Sequence, residues 1–82
     1  MKIISFNFTV TYDEGEKLYF DCGSRFCTCC HKILWLKKEI KERIGIDVKN
    51  QQLSIDGKIM EDNESFSDNN ITNGAEIKLV RI

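Results

Sequence analysis

Apolar residues fall on every second position at the start of the chain, where Ile4, Phe6, Phe8 and Val10 alternate with Ser5, Asn7, Thr9 and Thr11. A two-residue period is that of a strand with one face buried. Asp13-Glu14-Gly15-Glu16 interrupts it with a turn, and Leu18, Phe20 and Cys22 resume it, so the first segment reads as a β-hairpin with Cys22 ending its second strand toward the core. After an aperiodic stretch, Ile33, Leu36, Ile40 and Ile44 recur at spacings of three and four. At 100° per residue these four lie within about 80° of one another, the buried stripe of a helix. The helix is expected from Cys29 or Cys30 to Arg43 or Ile44. Thr28 is its expected N-cap and Gly45 its left-handed stop.

Gln52-Leu53-Ser54-Ile55 then reads as a short strand, Asp56-Gly57 as a turn, and Lys58-Ile59-Met60 as a shorter strand. Glu61 to Gly74 is polar apart from Phe66 and Ile71, and is expected to wrap the core as loop and short turns. Ala75, Ile77 and Leu79 alternate in a last strand. The order is ββαβ(β)β. Pattern alone gives an α+β class with one helix on a mixed sheet. Eighty-two residues build one core, so residues 1–82 are expected to form one domain.

Composition narrows the function. A net charge of −1 provides no basic surface of the kind that binds phosphate backbones, so no nucleic-acid partner is expected. The apolar run Ile33-Leu34-Trp35-Leu36 is too short to cross a bilayer, and the alternating first residues are unlike a signal peptide. A monomer in the cytoplasm or nucleus, with no membrane partner, is the expectation.

From Ile33 to Val80 specific residues accumulate: Ile33, Lys37, Ile40 and Gly45-Ile46, then Gln51, Leu53 and Gly57-Lys58. They continue through Glu61-Asp62, Ser67-Asp68, Asn70-Ile71 and Leu79-Val80. The run Gly-Lys-x-x-Glu-Asp followed at fixed distance by Ser-Asp-x-Asn-Ile resembles ubiquitin without a gap. The resemblance implies a β-grasp, a mixed sheet of four to five strands packed on one helix. It also implies a protein that other proteins bind rather than an enzyme. Two regions depart from the pattern, the C-terminal end and the recognition patch. Conjugated relatives end in two glycines, whereas this sequence stops at Arg81-Ile82, which implies a non-conjugated module. Such a module could be free or the N-terminal domain of a longer protein, and a modifier would require a chain that continues past Ile82. In the ubiquitin recognition patch Ser54 replaces an isoleucine, Val80 remains a valine, and the acidic turn Asp13-Glu14-Gly15-Glu16 replaces a leucine-bearing one. Loss of an isoleucine-sized contact removes about 1.5–3 kcal/mol, so familiar ubiquitin receptors are poor candidates.

The segment before the helix is longer than in ubiquitin and carries Cys22, Cys27, Cys29, Cys30 and His31. Thiolates and imidazole are zinc ligands, but structural zinc sites pair donors that lie far apart in sequence, and here all five fall within one short stretch. A redox role is the other chemical reading, with Cys27 and Cys29 exposed at a helix N-terminus that favours the thiolate. Against both stands the reading adopted here, with no cofactor: the cysteines stay reduced as small hydrophobes, with Cys22 and either Cys29 or Cys30 in the core.

The helical wheel turns Trp35 away from the Ile33–Ile44 stripe, on the side of His31 and Glu42. Either the enlarged loop covers it, with Phe26 as the cover, or Trp35 and Phe26 anchor a partner. The second candidate surface is the sheet face of Ser54, Lys58, Lys78, Val80 and Ile82. Lys32, Lys37, Lys38, Lys41 and Arg43 are interrupted by Glu39 and Glu42, the pattern of a solvated helix face, with Lys37 at its buried edge. No Ser/His/Asp, Cys/His or paired-carboxylate arrangement can be built around the lone His31, so no catalytic residue is assigned.

Overall fold

The computed structural model describes residues 5–82. Ile4, placed in the first strand by its alternation, lies outside that range. Strands β1 (Asn7–Tyr12) and β2 (Glu16–Asp21) form the hairpin, α1 spans Ile33–Ile44, and β3 (Gln51–Ile55), β4 (Lys58–Ile59) and β5 (Ala75–Arg81) complete the order. The sheet runs β2-β1-β5-β3-β4. Among the described residues only the central β1–β5 pair is parallel, and the other three pairings are antiparallel. This is the α+β grasp that the resemblance implies.

The alternation of β1 and β5 sends Phe8, Val10, Ile77 and Leu79 to the helix side of the sheet, where all four are buried. Ile33, Leu36 and Ile40 meet them from α1, with Leu53 from β3. Ile44 packs at the edge. The polar stretch after β4 contributes Phe66 and Ile71, both buried, so it closes the end of the core as expected. The turns obey their residues. Asp56 and Gly57 have φ of 51° and 82°, the left-handed pair of a two-residue hairpin. Gly45 has φ 77°, and its amide donates to the Lys41 carbonyl at 2.8 Å, the predicted stop of α1.

The start of α1 corrects the expectation. Its N-cap is Lys32, with no side-chain cap, and not Thr28; the residues from Cys29 to Lys32 are not helical. The amides of Ile33 and Leu34 donate instead to the carbonyls of Glu64 and Asp62, at 2.8 and 3.1 Å. Orphan donors of a first helical turn need acceptors, and here a distant loop supplies them in place of a neighbouring hydroxyl. That loop is the acidic Glu61–Glu64 run. Its Asp62 side chain also pairs with the buried Lys37 at 2.6 Å. Gln51 ties the middle of the helix to the segment that follows it: its Nε2 donates to the carbonyls of Lys37 and Ile46, at 2.8 and 3.0 Å.

Candidate functional site

Directly opposed residues share a face of a pleated sheet, and the register therefore defines the surface away from α1. One row crosses all five strands: Lys17 opposes Thr11, Thr11 opposes Lys78, Lys78 opposes Ser54, and Ser54 opposes Ile59. The next row pairs Val80 with Gln52. Ser54, Lys78 and Val80 thus share one face, as expected. Lys58 does not join them, because its partner is Ile55, on the opposite side of the pleat. Ile59 takes the place beside Ser54, and it is 51% exposed, against 40% for Val80. Ile82 is exposed beyond the end of β5, its amide held by the Asn50 carbonyl at 2.9 Å.

This face runs into an open cleft of about 480 Å³, lined by the β1–β2 turn together with Thr11, Lys78 and Val80. Arg81 donates to Asp13 Oδ2 at 2.6 Å and ties the acidic turn to β5 beside that cleft. The turn that lacks ubiquitin's leucine is therefore held in place by an ion pair.

Trp35 is half-buried and the enlarged loop meets it. Its ring lies 5.5 Å from Phe26, 4.8 Å edge-on from His31 and 6.0 Å from Phe66. Phe26 stacks on Phe6 at 4.9 Å and on His31 at 4.2 Å. This aromatic cluster seats the loop on the helix and joins it to the core through Phe66. Its geometry matches the covered reading of Trp35, with Phe26 as the cover.

The same loop gathers sulfur. The Sγ atoms of Cys27, Cys29 and Cys30 lie within 4.8 Å of one another, a grouping that could hold a metal ion. Cys27 and Cys29 are 3.1 Å apart, and Cys29 and Cys30 are 3.9 Å apart. Cys22 stands apart from them, half-buried at the end of β2, where burial pushes its thiol up. Cys29 and Cys30 are both exposed, so neither is the core hydrophobe anticipated from a helix beginning at that point. That helix starts only at Ile33, so these thiols do not sit in its first turn. Neighbouring thiols act instead: hydrogen bonds from Cys30 and then Cys29 pull the Cys27 thiol down to about 7, while Cys30 is pushed up to about 11. His31 Nδ1 donates to the Cys27 carbonyl at 2.9 Å and its ring is stacked, so the imidazole serves packing.

Residues 31–82, more than half of the chain, match the model of the Ubiquitin family. The chain belongs to the ubiquitin family. No curated protein matches it. For this ubiquitin-family chain the match begins at His31, after the four cysteines, so the thiol-bearing loop lies outside the matched segment. No helix among the described residues is long and apolar enough to cross a membrane.

Sequence reasoning passed over Ile59. The signal was present: a two-residue turn at Asp56-Gly57 forces Ile55 against Lys58 and Ser54 against Ile59. Counting across that turn would have exchanged Lys58 for Ile59 on the candidate face.

Proposed function

We propose that this domain is a non-catalytic interaction module of the ubiquitin family, and that it docks partner proteins through the outer face of its sheet. The observation that supports this is the exposure of Ile59 and Val80 on one face with Ser54 and Lys78. Where ubiquitin has its central isoleucine this chain has Ser54, but the neighbouring strand sets Ile59 directly opposite. The apolar centre is displaced by one strand, which suits a partner different from familiar ubiquitin receptors. Lys17 and Lys78 in the same row favour a partner whose apolar contact is flanked by acidic groups. A ubiquitin-system component or another protein assembly fits that description, in the cytoplasm or nucleus, where free thiols persist.

Trp35 and Phe26 form the weaker docking candidate, because each already packs against the other and against Phe66. Affinity capture from cell extract with wild type, Ile59→Asp, Val80→Asp and Trp35→Ala distinguishes the two surfaces. Replacing one apolar anchor removes about 1.5–3 kcal/mol, roughly tenfold or more in affinity, so the two sheet variants should lose the captured protein. Loss with Trp35→Ala alone, in a variant shown to be folded, would transfer the docking surface to the loop.

A further inference from the structure

We infer that Cys27, Cys29 and Cys30 form a three-thiolate site for a soft monovalent metal ion, Cu(I). The inference is independent of the docking surface, which lies on the opposite face of the sheet from α1.

Three features of the loop carry it. Three sulfur atoms converge within 4.8 Å, and no carboxylate or imidazole belongs to the group. Thiolate ligands select soft ions such as Cu(I) and zinc, and number of ligands separates the two. Structural zinc is held by four protein ligands in a tetrahedron. Here His31 lies outside the sulfur group, its ring packed against Phe26 and Trp35, and Cys22 stands apart at the end of β2. Cu(I), with a filled d shell and a strong preference for sulfur, is content with three thiolates.

The loop is also built to hold the thiols in place. The Cys27 carbonyl accepts from the amides of Cys30 and His31, both at 3.2 Å, as well as from the His31 ring. This closes the turn that brings Cys29 and Cys30 back toward Cys27. The carbonyls of Thr28 and His31 accept in turn from the amides of Ser67 and Phe66, at 3.0 and 3.1 Å. The ligand turn is thereby anchored to the buried Phe66, and binding need not order a free loop. Two of the three cysteines are exposed, so an ion can reach them from solvent or from a donor thiol.

On binding, each S–H bond gives its proton to solvent as an S–Cu bond forms. Copper remains Cu(I) and no electron is transferred.

The test uses the full chain, reduced, metal-free and without oxygen, titrated with Cu(I) against a Cu(I)-specific competing chelator. The expected result is one Cu(I) per chain, with sulfur-to-copper charge-transfer absorption rising to the same endpoint. An outer partner of a metal ligand is worth ~10–100-fold in affinity, so Cys27→Ser, Cys29→Ser and Cys30→Ser should each weaken binding at least that much. Cys22→Ser should not. Tryptophan emission and circular dichroism report whether each variant is folded, and exposed Cys29 and Cys30 carry the test if Cys27→Ser is not. The inference is overturned if the reduced protein retains no Cu(I), if it retains zinc and not Cu(I), or if Cys22→Ser weakens binding as much as Cys29→Ser.

Discussion

Ser65 and Asp68 cap each other: the Ser65 amide donates to Asp68 Oδ2 at 2.9 Å, and the Asp68 amide donates to Ser65 Oγ at 3.1 Å. This reciprocal pair closes the turn that opens the short 3-10 helix Ser67–Asn69, directly beneath the buried Phe66. The Ser65 amide first, and the Ser65 hydroxyl after it, hold the Asp68 carboxyl below its ordinary value of 3.8 by hydrogen bonding to it. A depressed folded-state value means that the stabilisation is present above the ordinary carboxylate value and disappears as pH falls through the lower, folded one. The gap in urea midpoint between wild type and Asp68→Asn should therefore hold from neutral pH to about pH 4 and close below it. A gap that persists unchanged in stronger acid would show that the carboxylate charge is not what the turn uses. Ser65→Ala should cost about 1 kcal/mol by the same measurement.

Phe26→Ala should uncover Trp35. The ring that lies 5.5 Å from the indole would be gone, leaving His31 and Phe66 as its aromatic neighbours. Acrylamide should quench the variant's fluorescence far more steeply than that of wild type, and stability should fall by roughly 1–3 kcal/mol. Equal quenching in the two proteins would mean that Phe26 is not the cover.

The two ion pairs of α1 should behave differently. Lys37 is nearly buried and meets Asp62 at 2.6 Å, whereas Lys41 and Asp47 are each about half exposed and 3.5 Å apart. Removing a partner from a buried charge costs far more than removing one in water. Asp62→Ala should therefore destabilise by about 1–2 kcal/mol, with little sensitivity to salt, and Asp47→Ala by no more than about 0.5 kcal/mol. Chemical denaturation at low and high salt measures both.

In the β1–β2 turn Glu14 sits at φ 62°, in the left-handed region where a Cβ is unfavourable. Glu14→Gly should relieve that conformation and, after the entropy glycine adds to the unfolded chain, raise stability by about 0.5 kcal/mol. Asp13 should stay, since it holds Arg81. A lower thermal midpoint for Glu14→Gly would mean that its side chain makes a contact worth more than the strain.

Elements defined by local pattern were legible in the sequence. The β1 alternation, the Ile33–Ile40 stripe, the Gly45 stop and the Asp56-Gly57 turn each follow from neighbouring residues; the last three stand where they were read, and β1 keeps its alternation but begins at Asn7, after Ser5 and Phe6. Features that depend on distant chain were not. Thr28 looked like a cap because the acceptors of Glu64 and Asp62 cannot be seen from residue 33. Moving the helix start to Ile33 carried Cys29 and Cys30 out of the core and into an exposed turn, and so brought them together with Cys27 in a thiol cluster that a helix beginning at Cys29 would have broken up. Ile59 was missed on the candidate face for a simpler reason, a strand too short to show its own alternation.

The borrowed start of α1 has a consequence for the order of events in folding. A helix that supplies its own cap satisfies its first amides from local chain alone, but here the amides of Ile33 and Leu34 find their acceptors only once the Asp62–Glu64 segment has closed over them. The first turn and that loop should therefore lose amide protection together, as one cooperative unit, and the thiol turn pinned to Ser67 and Phe66 should open with them.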